Sequence, residues 1–252
     1  GFFESEIAMK LQAFREEQEG FIAPSFNTIA GSGPNGAIVH YRAIAGEDRQ
    51  LLANDILLLD SGAHYNDGTT DITRTIATGT PPGGVVKAFT HVLRAHIRLA
   101  QAKFPEGTTG QQLDAVARAP LWAVEMDFAH GTGHGVGHVL SVHEGPVSIS
   151  KRGNTPLKAG MVLSNEPGYY QNGNWGIRIE NLVVVTAVNG SDFLQFETIT
   201  LCPFDQRLID KTLLNAEEIS WVNSYHNTVS EVLSPHLSGS TNAWLEAACR
   251  PL

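Results

Sequence analysis

The sequence predicts an α+β protein made of two similar halves and a helical tail, and three observations carry that prediction. Apolar runs that end on an acid occur twice, "ILLLDSG" reaching Asp60 and "AGMVLSNEPGYY" reaching Glu166. Each is followed by turn residues and a second extended run with a further acid, Asp71 eleven residues on and Glu180 fourteen residues on. Helical periodicity lies between the two repeats and returns near the C-terminus. The doubling is one of expected structure, because the two stretches share no detectable sequence.

Taken in order, Ser5 is placed to cap a first helix whose apolar residues Ile7, Leu11 and Phe14 fall at helical spacing, with Gly20 as its stop. The stretch "SFNTIAGSGPNGAIVHYRA" is glycine-rich and then extended, with His40 expected on a short strand. The run to Asp60 and the "YNDGTTDITRTI" return through an Asp-Gly turn signal read as a hairpin. Phe89, Leu93, Ile97, Ala100 and Phe104 predict a second helix. A third starts at Thr109, with Gln112 as its capping-box partner and Pro120 as a kink or restart. The "AHGTGHGVGHVLSVHEGP" segment carries too many glycines for a helix, each costing about 1 kcal/mol against alanine. In "GIRIEN" strand alternation places Ile177 and Ile179 on one face and Arg178 and Glu180 on the other. Asn215 and Glu218 open a last long helix that Pro235 breaks, and a short helix with Trp244 and Leu245 follows.

Bulk properties narrow the function classes. The 252 residues, 42% hydrophobic, suit a soluble globular protein. Seventeen basic against 26 acidic side chains give a net charge of -9 with no Lys/Arg cluster, which argues against nucleic acid and anionic membranes as partners. No run approaches the roughly 18 apolar residues of a membrane span, and the acidic start does not read as a signal peptide. Cys202 and Cys249 are far apart and in no metal-type spacing, so free thiols in a reducing cytoplasm are expected. The opening Gly1-Phe2-Phe3, without an initiator Met, points to a chain with residues upstream of it.

The acids set the chemical question. Burying a carboxylate without a strong partner costs several kcal/mol, and four on strands aimed at one centre repel one another. Arg178 is one available partner for Glu180, but it leaves Asp71 without one. A pair of divalent cations balances all four, and a histidine from the glycine-rich segment completes a ligand set suited to Mn²⁺, Co²⁺, Fe²⁺ or Zn²⁺. Taken singly, an acid at a strand end is more often a turn or cap residue; the doubled arrangement favours metal. His91, His96, His226 and His236 are expected on helices as packing or surface residues, His64 as exposed, and His138 as a loop residue.

With Asp60, Asp71, His134, Glu166 and Glu180 in that order inside "LLLDSG", "TTDITRT", "HGTGHGVGH", "NEPGYY" and "GIRIEN", the sequence resembles the pita-bread metallopeptidases. Among them it is most similar to the aminopeptidase P (Xaa-Pro aminopeptidase) branch of the longer cytosolic type, from about residue 5 to the end. The resemblance implies the pita-bread fold, in which two pseudo-symmetric halves share a curved antiparallel sheet. Residues 1–205 are then the catalytic domain and 206–252 a helical extension of the kind that makes homodimers, with N-terminal domains of the parent protein absent. It also implies two metal ions, usually Mn²⁺ with Zn²⁺ or Co²⁺ as alternatives. Asp71 and Glu180 would bridge them, with Asp60 on one ion and His134 and Glu166 on the other. His40, His130 and His143 match the family's non-ligand active-site histidines, and Arg178 its supporting arginine.

The activity implied is hydrolysis of the bond between an N-terminal residue and a following proline by a metal-activated hydroxide, with Glu166 shuttling the proton to the leaving nitrogen. Peptides with proline second are the expected substrates. Three other readings stand beside it. They are a prolidase acting on Xaa-Pro dipeptides, a metal-free creatinase-like hydrolase, and an inactive pita-bread binding module. Retention of all five ligands speaks against the last two.

Overall fold

The computed structural model describes residues 1–252. Helix α1 (Glu4–Glu16) precedes β1 (Phe21–Pro24), β2 (Ile29–Ser32) and a 3-10 turn (Gly33–Ala37). The first acidic hairpin follows as β3 (Ile56–Ser61), β4 (Ala63–Tyr65), β5 (Gly68–Thr69) and β6 (Ile72–Ala77). Then come α2 (Val85–Ala100), β7 (Lys103–Pro105), α3 (Gly110–Trp122), β8 (Gly133–Val136) and β9 (His143–Ile149). The second acidic unit is β10 (Val162–Asn165), β11 (Gly168–Gln171), β12 (Trp175–Arg178) and β13 (Asn181–Ala187), followed by β14 (Phe193–Thr198), α4 (Ala216–Leu233) and α5 (Gly239–Ala248). Helices with wholly antiparallel strand pairing make this the α+β architecture expected.

The two halves repeat one topological device. In the first, β3 pairs directly with β6, from Ile56 opposite Ala77 to Ser61 opposite Ile72. The intervening β4–β5 hairpin leaves that ladder and joins β1 instead. In the second, β10 pairs with β13, ending at Asn165 opposite Asn181, and β11 pairs with β12 as a separate hairpin. The return strand of the second acidic unit is therefore β13, and "GIR" belongs to the inserted hairpin. Ile179 and Glu180 lie between β12 and β13, yet the alternation expected along "GIRIEN" holds: Ile177 and Ile179 are buried in one core cluster, while Arg178 and Glu180 line a common cavity on the other side.

Two buried clusters flank this framework. The larger joins Phe89, Val92 and Leu93 of α2 to Ile177, Phe204, Val222, Val229 and Leu245, so α4 and α5 share a core with the first half's central helix. The smaller packs Leu113 and Ala117 of α3 onto Leu163, Val183 and Leu194 of the six-stranded sheet β7-β14-β13-β10-β8-β9.

Several local expectations hold. Thr109 caps α3, its N–H donating to Gln112 Oε1 at 2.9 Å, and Asn215 and Glu218 form the capping box of α4. Others change. The first helix begins at Glu4, so Ser5 lies inside it and its N–H donates to Asp48 Oδ2. Phe104 falls beyond α2, on β7. His40 sits in a turn after the 3-10 segment rather than on a strand, because Pro34 and tight local bonds from Ile38 and Tyr41 curl the chain there. His64 is buried on β4 and bonded to Thr69 Oγ1, not exposed. No helix is long and apolar enough to cross a membrane.

Candidate active site

Each acid sits where a ladder ends. Asp60 lies one residue before the last β3–β6 pair and Asp71 one residue outside it. Glu166 and Glu180 follow and precede the terminal Asn165–Asn181 pair. His134 comes from β8, which pairs with β10 through Gly135 and Leu163. The halves are stitched together at this point. Glu180 N–H donates to Thr73 O at 3.1 Å, Thr73 Oγ1 donates to Glu180 Oε2 at 2.7 Å, and Thr75 Oγ1 donates to Arg178 O at 3.0 Å. Arg74, buried behind them, donates to Glu180 O at 2.6 Å and Asn181 Oδ1 at 2.7 Å, fixing the backbone that carries Glu180.

His134 Nε2 lies 3.4 Å from Asp71 Oδ2 and 3.3 Å from Glu166 Oε1. Ligand atoms of Asp71, His134 and Glu180 all fall within 4.8 Å of one another. Arg178 forms its ion pair with Asp60 rather than Glu180. Its Nη2 donates to Asp60 Oδ2 at 2.6 Å, its Nη1 to the Tyr170 hydroxyl at 2.8 Å and its Nε to Thr73 Oγ1 at 3.2 Å. Of the two answers the sequence left open for Glu180, the ion pair with Arg178 is not formed: the guanidinium pairs with Asp60 and meets Glu180 only through the shared Thr73 hydroxyl. Tyr170 continues the chain of contacts to His130, whose Nε2 lies 2.8 Å from the same hydroxyl.

Burial dominates the electrostatics. It raises the carboxyls of Asp71 and Glu180 well above their ordinary range, Asp71 further raised by Asp60 and Glu166, and Glu180 by Asp71 and Glu166. Glu166 is raised for the same first reason, with His134 and Arg178 opposing. Burial and then Arg178 bring His130 down to about 4, and burial followed by His134 lowers His143. Burial takes the Tyr170 hydroxyl up to about 12, so it is a neutral link between His130 and the guanidinium.

The donor set fits divalent cations. Asp60 Oδ1 is buried and has no hydrogen-bond partner, while its other oxygen is held by Arg178. Such an orphaned lone pair is costly unless a cation meets it. Four carboxylates with one imidazole give the hard oxygen and nitrogen ligands that suit Mn²⁺, Co²⁺ or Zn²⁺, and no thiolate is near.

All nine residues singled out from sequence line one cavity of about 520 Å³: Asp60, Asp71, His134, Glu166, Glu180, His40, His130, His143 and Arg178. His138 stays outside, exposed, with Nε2 3.3 Å from Asn66 O. Residues that sequence reading missed stand behind them. Arg118 of α3, 1% exposed, donates to Asp114 Oδ2, Phe128 O and His130 O, and Asp114 accepts from the Thr132 hydroxyl, so a buried pair holds the His130 segment in place. The i, i+4 spacing of Asp114 and Arg118 was the available signal. Thr73 and Tyr170 gave none, being ordinary residues in strands.

The sequence matches the model of metallopeptidase family M24 over residues 1–187 and that of the C-terminal region of peptidase M24 over residues 192–252. It is 49% identical over 260 residues to a probable Xaa-Pro aminopeptidase P of Laccaria bicolor, covering 99% of this chain and 40% of that protein. It is 50% identical over 258 residues to aminopeptidase P2 of Arabidopsis thaliana, covering 99% and 36%. The crystal structure of an X-prolyl aminopeptidase from Caenorhabditis elegans, described as a cytosolic enzyme with a dinuclear active site, superposes with a TM-score of 0.95 at 42% identity. That match covers 100% of this chain and 42% of the nematode protein. The chain thus spans about two fifths of the length of these relatives.

Proposed function

This chain belongs to metallopeptidase family M24, and from that premise we propose that it is the catalytic part of a dinuclear metal-dependent Xaa-Pro aminopeptidase. The observation that carries the reading is the convergence of Asp60, Asp71, His134, Glu166 and Glu180 on one cavity, with Asp60 Oδ1 buried and unpartnered. Asp71 and Glu180 would be shared between two ions, Asp60 would serve one, and His134 and Glu166 the other. Bound there, divalent cations supply compensating positive charge, Lewis acidity toward the scissile carbonyl and a water acidic enough to ionise near neutral pH. We take Mn²⁺ as the working ion, a cytoplasmic setting, and a homodimer built through residues 206–252 beside a catalytic region of 1–205. Peptides with proline second are the substrate class; nucleic acid and membranes are not partners of a chain with net charge -9.

The protein's own groups do the rest. Glu166 lines the cavity with Oε1 3.3 Å from His134 Nε2, and it is the carboxylate we assign to relay a proton to the departing proline nitrogen. His143, shifted toward the neutral form, and His40 on the facing turn line the same cavity, where their ring nitrogens can bind the peptide and the developing oxyanion, while His130, whose two nitrogens are engaged by Gly131 O and the Tyr170 hydroxyl, shapes the wall beside them. Arg178 cannot leave its bonds to Asp60 and Tyr170, so it keeps Asp60 Oδ2 occupied and Oδ1 free. Proline offers no amide N–H, so its ring must be recognised by shape, and Phe26, Ile29, Val39 and Val142 supply apolar surface in the cavity.

The test is release of the first residue from Arg-Pro-Pro by Mn²⁺-loaded protein, with metal measured by elemental analysis and oligomeric state by light scattering. Asp71→Asn is expected to lower both metal content and cleavage by more than about 100-fold in rate. Cleavage confined to Xaa-Pro dipeptides would make the protein a prolidase. Loss of neither metal nor activity in Asp71→Asn would refute the reading.

A further inference from the structure

The carboxylate of Glu4 is fully buried at the start of α1, outside the catalytic cavity, and every group that touches it is a neutral donor. Oε1 accepts from Ser32 N–H at 2.6 Å, from the Ser32 hydroxyl at 2.8 Å and from Asn35 Nδ2 at 3.2 Å. Oε2 accepts from Asn35 Nδ2 at 2.9 Å, the Tyr41 hydroxyl at 2.8 Å and Arg49 N–H at 3.1 Å. A buried charge held only by dipoles is an expensive feature, retained when the segments it gathers need a fixed place. Here it gathers the end of β2, the 3-10 turn, the Tyr41 turn and residue 49.

Residues 38–42 line the cavity through Val39, His40, Tyr41 and Arg42, yet they belong to no strand or helix. Their backbone bonds are local, Ile38 N–H to Asn35 O and Tyr41 N–H to Ile38 O. The Tyr41 hydroxyl is their one hydrogen-bonding tie to a distant part of the chain, and it ends on Glu4. Burial and the adjacent Glu4 carboxylate raise the Tyr41 hydroxyl above its ordinary range, so it stays protonated and keeps donating.

We propose that Glu4 is a positioning residue that fixes the His40 turn against the catalytic cavity through Tyr41 and Asn35. The inference deepens the Xaa-Pro aminopeptidase reading and rests on it. Glu4 touches neither substrate nor metal ligands; it acts by holding an otherwise untethered imidazole within reach of the peptide, where a displacement of about 1 Å can cost about 100-fold in rate.

The experiment is a double-mutant cycle on the Mn²⁺-loaded chain, with kcat/KM for Arg-Pro-Pro and hydrogen exchange by mass spectrometry as readouts. Glu4→Gln is expected to lower kcat/KM at least tenfold in the wild-type background and less than about twofold in a His40→Ala background. Residues 33–49 should exchange faster while those around Asp71 and Glu180 do not. Tyr41→Phe, which keeps the ring's packing, should show the same coupling at smaller size and serves if Glu4→Gln fails to fold. Equal losses in both backgrounds, or unchanged exchange at residues 38–42, would overturn the proposal in an enzyme that is otherwise active. A wild-type chain that cleaves no such peptide would instead refute the reading on which it rests.

Discussion

Replacing Arg118 by methionine removes a guanidinium while keeping most of the side chain's volume. Arg118 and Asp114 are 1% and 3% exposed, and the contact between Nε and Oδ2 is 2.8 Å. The change leaves Asp114 with only the Thr132 hydroxyl at 2.6 Å and strips the carbonyls of Phe128 and His130 of their donors. Breaking a buried ion pair from one side costs about 3–5 kcal/mol. The second pair, to the half-exposed Asp127, adds at most about 1 kcal/mol. The buried partner therefore decides the outcome. Against a total stability of about 5–15 kcal/mol this is a large fraction, and it corresponds to a fall in Tm of roughly 6–20 °C. Urea unfolding followed by fluorescence should show a lower midpoint at unchanged m-value. Arg118→Met/Asp114→Leu should recover part of the loss, because it removes the stranded charge. A single-variant cost below about 1 kcal/mol, or a double variant worse than the single, would refute the reasoning.

Two further outcomes are expected. His96, fully buried, sits with Nδ1 3.1 Å from Asn165 O and Nε2 accepting from Asn181, and His226 Nε2 accepts from Phe204 N–H; burial, then Arg74, brings them down to about 3 and about 4. The unfolded chain takes up protons at these histidines below about pH 6.5 while the folded one does not, so each removes stability as pH falls from there toward its folded value, by up to about 1.4 kcal/mol per pH unit. Urea midpoints between pH 8 and 4.5 should therefore fall less steeply in His226→Gln than in wild type, and an identical slope would count against it. Gly176→Ala places a Cβ against the Gly36 carbonyl of the 3-10 turn and should cost about 1–3 kcal/mol, whereas Gly68→Ala, which meets open space, should stay within about 0.5 kcal/mol by thermal melting.

The acids of the site were legible because apolar strands that end on carboxylates are a pattern of period and position, and the pattern came twice. Glycines between His130 and His138 also told against a helix, and β8 bears that out at His134. What the sequence hid was partnership. Arg178 and Glu180 are two apart and share a face as the alternation implies, but that Arg178 reaches across to Asp60, 118 residues away, while Thr73 stands between it and Glu180, could not be read from the stretch itself. Glu4 and Glu6 look alike at the start of a helix, yet one is enclosed by four segments and the other bonds Phe3 N–H at the surface. His64 likewise reads as a surface residue until long-range packing encloses it. Local pattern fixes which face a residue takes, whereas enclosure depends on chain brought from elsewhere.

The detour hairpins have a practical corollary. Because the β3–β6 and β10–β13 ladders hold Asp71 and Glu180 in place, the exposed bend at residues 172–174 at the tip of β11–β12 is a place where extra sequence can be spliced. A fluorophore or affinity tag inserted there would report on the protein in cells while the anchoring pairs below keep their alignment.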